Sequence, residues 1–287
     1  MVDKIRLIAL DPEVLALLSG NTVNGNFAIS GNLSFSGFMR GGRVWSVNTI
    51  IFAANSHVGT ISNTYYQKPA NLAFIKVTAT GSGGGSGAAS TNAATNRCSS
   101  GGGGGATCES WFDNYQLSNS EQVIVMAGGR GGSNNQNGAN GSNSIFGNNN
   151  LVIAGGGFGS ANVLHGLGIG SLVGLMYPGG AGGIPYVGNK QISGGVGGPP
   201  PLGADGTMGG LGGSSLWGAA TMNPDYSVSA GGTPNGWPLF LTQSNVWGVG
   251  GSGACISLTG ATTATVNYGA NGGPGVVIIE EYRWTGA

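Results

Sequence analysis

The sequence predicts an all-β protein: a short trimeric β shaft followed by a β-sandwich head with glycine-rich loops of polyglycine-II type. Three observations predict it. Short β-rich apolar runs recur along the chain and pass directly into glycine. Glycine pairs repeat as GGxGG at 128–132, 179–183, 194–198 and 209–213. Before them, the stretch 24–37 alternates apolar and polar residues in short units entered by Gly-Asn turns.

The GGxGG spacing has a period of three, which matches neither an α-helix nor a pleated strand. It does match a polyproline-II-type helix, with three residues per turn. Two of its three faces would carry only hydrogen, so such helices can pack at backbone contact distance. The longest run, Gly101 to Gly105, would offer no side chain on any face.

Composition separates order from disorder. The chain holds 61 Gly and 11 Pro in 287 residues, several-fold the usual glycine content. Hydrophobic residues nevertheless make up 40% and charged residues only 7%, the reverse of a disordered chain. Glycine never keeps a strict G-x-y register for long, which excludes collagen.

Taken in order, residues 1–20 read as an N-terminal anchor. Asp11 suits an N-cap, Pro12 the first helical position, and Gly20 the end of a helix over Glu13–Ser19. Its apolar face, Val14, Leu15, Leu17 and Leu18, is too small to be stable alone and needs a partner. A second subunit, a larger assembly or the chain's own head could supply one.

Residues 21–45 form fibre-like β repeats. Phe27/Ile29 and Leu33/Phe35 alternate with period two, but each strand is too short to stand as an isolated hairpin. Three chains wound about a common axis, or a hairpin at the edge of the head, would bury them.

Residues 46–287 form the glycine-rich β head. Its strands are expected at Val47–Ala53, Leu72–Thr80, Gln122–Ala127, Leu151–Ala154, Cys255–Leu258, Thr263–Tyr268 and Val276–Tyr282. Strand-into-glycine recurs at Gly81, Gly128 and Gly155, which implies glycine helices extending from one end of a sandwich. Val276–Ile279 lacks alternation and reads as a buried central strand.

Charge and chemistry are sparse. Between Gly131 and Ile279 only Lys190, Asp205 and Asp225 are ionised at neutral pH, and the net charge is zero. Attraction to nucleic acid has no footprint here. Asp3, Lys4, Arg6, Pro12 and Glu13 interrupt the start, so a signal peptide is not expected, and no stretch approaches a membrane span. Of three cysteines, Cys98 and Cys108 could pair, but reduced thiols are the expectation for a protein made in the cytoplasm. His57 and His165 lack carboxylate or cysteine partners at metal-ligand spacing. No catalytic residue, metal or cofactor is therefore expected. Asp205 and Asp225, the acids of the glycine-rich middle, read as turn residues rather than a glycosidase pair. Aromatics carry more. Phe158, Tyr177, Tyr186, Trp217, Tyr226, Trp237 and Trp247 fall in or beside glycine-rich stretches. Displayed from rigid loops they would make a low-entropy contact surface; packed inward they would be core. Trp45 and Trp284, beside strands, read as structural.

The 24–37 unit, the strand-then-GGxGG units and the ending Gly272-Gly273-Pro274-Gly275-Val276-Val277-Ile278-Ile279-Glu280-Glu281-Tyr282 together resemble bacteriophage tail fibres and their glycine-rich receptor-binding domains. The likeness covers 24–39 and most of 72–283. It implies a homotrimeric virion protein, made in the host cytoplasm, that docks onto other tail or baseplate proteins through residues 1–20. Its glycine-rich end would adsorb to a bacterial surface receptor, a polysaccharide, pilus or outer-membrane protein. The alternative is a purely structural tail-tip or baseplate component. With only two shaft units, the chain is short for a whole fibre.

Overall fold

The computed structural model describes residues 45–54, 61–91, 97–133, 136–161, 178–199, 209–218, 227–228, 246–258 and 265–284. The expected anchor helix and the 24–37 repeats lie outside the described residues, as do His57, His165, Asp205 and Asp225.

The strands are β1 (Trp45–Ala53), β2 (Ile61–Gln67), β3 (Leu72–Thr80), β4 (Ala89–Thr91), β5 (Arg97–Cys98), β6 (Thr107–Asp113), β7 (Ser120–Met126), β8 (Ser144–Phe146), β9 (Val152–Ala154), β10 (Pro185–Val187), β11 (Lys190–Ile192), β12 (Ser227–Val228), β13 (Cys255–Leu258), β14 (Thr265–Asn267) and β15 (Val276–Trp284). Two antiparallel five-stranded sheets form a β-sandwich, in the orders β1-β15-β3-β6-β11 and β10-β9-β8-β7-β2. Among the described residues the only helical element is a 3-10 turn, Asn114–Gln116.

Period-two alternation builds the core. β7 buries Glu121, Val123 and Val125, and β15 buries Val277, Ile279 and Glu281. They meet Tyr66, Leu72, Ile75, Val77, Phe146 and Val152 between the sheets. β15 is central, as its composition predicts, yet it alternates: Val276 and Val277 are both buried, whereas Ile278 is half-buried on the outer face. Trp45 and Trp284 face each other in the β1–β15 register. β2 and β6 escape the sequence reading because Ser62, Asn63, Glu109 and Ser110 break up their apolar content.

Where the strands run into glycine, the sheets become a three-dimensional lattice. Register continues without a break: Thr80 faces Thr107 in β3–β6, and beyond it Gly81 donates to Ala106 (2.9 Å) and Gly84 to Gly103 (2.8 Å). The amides of 81–88 turn by a third of a circle per residue. Gly81 and Gly84 donate to 99–106; Ser82, Gly85 and Ala88 donate to 136–143; Gly83 and Ser86 donate to 268–275. That threefold succession is the polyproline-II repeat, whose helix has no internal hydrogen bonds and must find partners outside itself.

The 99–106 segment behaves likewise. It donates to 155–160, 193–199 and 248–254, and it accepts from 81–88, 178–184 and 209–214. Six neighbours enclose it, each bonded to the next around the ring. Segment 81–88 is enclosed in the same way by 99–106, 155–160, 136–143, 127–133, 268–275 and 248–254. The side-chain-free run Gly101 to Gly105 thus occupies a lattice centre.

Glycine is needed here for its missing Cβ rather than for its backbone freedom. A Cβ on Gly102 would lie 2.2 Å from the Gly84 carbonyl oxygen, and one on Gly103 would lie 1.9 Å from that of Ala181. Among the described glycines only Gly147 and Gly248 have positive φ. Serine replaces glycine where its hydroxyl finds a backbone partner: Ser86 Oγ accepts from the Ala270 amide (2.7 Å), and Ser99 Oγ donates to the Gly87 carbonyl (2.6 Å).

The cysteine expectation needs correction. Cys98 is disulfide-bonded, while Cys108 is free and buried. Cys108 donates to the Ile153 carbonyl (3.1 Å), and burial pushes its thiol pKa up.

Candidate recognition surface

The lattice has two ends of different character. At the proximal end its helices merge with the sandwich strands. At the distal end the chain reverses: 81–88 leads out through β4 and β5 and returns as 99–106, and 127–133 returns as 136–143. Segment 155–160 leads out toward 162–177 and comes back as 178–184; 193–199 leads out toward 200–208 and comes back as 209–214. β13 and β14 make the same reversal between 248–254 and 268–275. At the same end, β12-β13-β5 and β14-β4 pair as small sheets. The lattice therefore gathers its reversals on one face and clamps both ends of each reversing segment.

The expected aromatic site is dispersed. Phe158 sits on the 155–160 segment, 38% exposed, at the position where a GGxGG helix turns its one side chain outward. Tyr186, 53% exposed, lies in β10, with its ring against Gly155. Trp217 follows the 209–214 segment, which lies across the central 99–106 helix from 155–160. It packs edge-on against Trp247 (5.7 Å between centroids), and its Nε1 donates to Thr80 Oγ1 (2.7 Å). Trp217 and Trp247 are thus half-buried together at the proximal end, remote from the reversals. Tyr177, Tyr226 and Trp237 lie outside the described residues; Tyr177 immediately precedes the distal start of 178–184.

A second aromatic group was not singled out in the sequence. On the outer face of the first sheet, Phe74 stacks on Tyr282 (4.4 Å), and Trp111 lies 5.7 Å from Tyr282. The Lys76 ammonium stands 5.8 Å from the Trp111 ring centre and bridges Glu109 (3.2 Å) and Glu280 (3.3 Å). Desolvation lowers the Lys76 pKa, but hydrogen bonds and charge from both carboxylates outweigh it and hold the pKa above its ordinary value. The signal was the period-two pairing of Phe74 with Lys76 and of Glu280 with Tyr282.

Between the sheets, Glu281 is fully buried. Its Oε2 accepts from Asn48 Nδ2 (2.7 Å) and from Arg283 Nε (2.9 Å). Among the described residues, Tyr66 Oη and Glu281 Oε1 are the buried side-chain oxygens without a hydrogen bond. Burial, then the adjacent Glu281 carboxylate, raises the Tyr66 pKa well above its usual value. No group of three or more metal-ligating side chains occurs among the described residues.

No curated protein matches the chain. A family model described as a glycine-rich domain matches residues 58–282, the span that contains β2 through most of β15 and every lattice segment. The protein belongs to this glycine-rich domain family.

Proposed function

We propose that this is a virion tail-fibre or tail-tip protein that adsorbs to a bacterial surface receptor through its glycine-rich distal end. The observation that supports this reading most is the collection of chain reversals on one face of a rigid, nearly uncharged lattice. Clamped loop ends reduce the ordering cost of binding, the advantage of a preorganised paratope. A polysaccharide, pilus or outer-membrane protein fits a surface that works by hydrogen bonds and stacking rather than by charge. The reading keeps a homotrimer joined to other tail proteins through residues 1–20.

The test is adsorption. Purified protein should bind host cells and compete with infecting phage, and swapping 162–177 and 200–208 with those of a phage of different host range should transfer the preference. Normal assembly into virions without any cell binding would favour the structural tail-tip role instead, which the interlocked lattice also suits.

A further inference from the structure

We propose that Cys98 and Cys255 are joined across β5–β13 as a covalent clasp on the distal end of the lattice. Cys98 is disulfide-bonded and Cys108 is free. The chain has three cysteines, so Cys255 is the partner that remains within one chain. The backbone agrees, because the β13–β5 register sets Cys255 directly opposite Cys98. Directly paired residues in an antiparallel ladder bring their Cα atoms to about 4.5–5.5 Å, within disulfide range.

The position follows from the lattice. Segments 99–106 and 248–254 run antiparallel, with Gly105 donating to Gly248 (2.7 Å), Gly102 to Gly251 (2.8 Å) and Ser99 to Ala254 (2.8 Å). One step further in that same register stand Cys98 and Cys255. Inside the lattice a cross-link has no room: a Cβ on Gly253 would lie 2.0 Å from the Ser99 carbonyl oxygen. The β5–β13 pair stands one step beyond the last lattice hydrogen bond between these two segments, Ser99 to Ala254. A bond there ties together the starting point of the central lattice helix and the end of its neighbour. It also closes the chain on both sides of the distal reversals.

Formation requires an oxidant. Each thiol loses a proton and the pair gives up two electrons to a low-molecular-weight disulfide such as oxidised glutathione, which leaves as two thiols after exchange. Cys108 is shielded from the exchange by burial and by its raised pKa, which keeps the reactive thiolate scarce.

The test uses the full chain equilibrated with oxidised glutathione, then unfolded and alkylated. One thiol per chain should react before reduction and three after it. Proteolysis without reductant should yield one species holding the Cys98 and Cys255 peptides, separable on reduction. A Cys98–Cys108 peptide, a bond between two chains, or three reactive thiols before reduction would overturn the pairing. The clasp is tested by limited proteolysis of the folded protein. Reduction should speed cleavage within 89–98 and 255–267 about tenfold or more while leaving the sandwich unaffected. The Cys98→Ser/Cys255→Ser double variant should match the reduced protein. Equal distal cleavage rates with and without reductant would overturn the clasp.

Discussion

The Gly84 amide donates to the Gly103 carbonyl at 2.8 Å, joining the two lattice segments that are each enclosed by six others. A strand in a sheet has two hydrogen-bonding neighbours. A threefold helix without side chains can have six. That difference lets two sheets, normally about 10 Å apart, merge: Ser82 of the first sheet's extension bonds Ser142 of the second's at 3.0 Å.

Gly102→Ala should therefore destabilise the protein by about 3 kcal/mol or more, because the new methyl meets backbone that cannot yield. Ala181→Gly, at an exposed position of a GGxGG unit, should stay within about 1 kcal/mol. Denaturant titration of both variants checks the contrast; equal effects would mean the lattice is loosely packed.

Amide exchange should report the same enclosure. The amides of Gly101 to Gly105 should exchange as slowly as those of β3 and β15, although they lie in no strand. Rapid exchange there would contradict the lattice.

Tyr66 provides a pH dependence. Its folded pKa lies above the unfolded value of 10.0, so its contribution is complete below pH 10 and is lost as pH rises. Above pH 10 the unfolded chain gains about 1.4 kcal/mol per pH unit from ionising this phenol, until the folded pKa is reached. Tyr66→Phe should remove that portion of the alkaline instability, because the phenol that ionises in the unfolded chain is gone. Urea midpoints at pH 8 and pH 11 for both proteins decide it.

Arg283 compensates a fully buried carboxylate while remaining partly exposed itself. Arg283→Ala should cost about 2 kcal/mol, below the usual range for a broken buried pair because Asn48 still bonds Glu281. The double variant Glu281→Gln/Arg283→Met should recover most of the loss. Thermal melts of the single and double variants measure both.

Trp217 and Phe158 should separate framework from surface. Trp217→Ala removes the bond to Thr80 and the contact with Trp247, and should cost about 2 kcal/mol. Phe158→Ala should cost less than about 1 kcal/mol, because its ring is outward and over a third exposed. Denaturation of both variants, paired with cell adsorption, assigns each residue its role.

Sequence alone determined the all-β class, the strands β3 and β13 residue for residue, and the threefold glycine repeat. Those are local properties: side-chain alternation marks strands, and GGxGG marks a three-residue turn whatever surrounds it. Sequence could not say which glycine segments touch, because glycine has no side chain to carry a pairing preference. The register is inherited from the strands that feed each segment, as Thr80–Thr107 passes its alignment to Gly81–Ala106. For the same reason the aromatic residues looked like one site in the sequence and proved to be at least two. Phe158 and Trp217 belong to segments on opposite sides of the central helix, and only the six-neighbour packing puts them there.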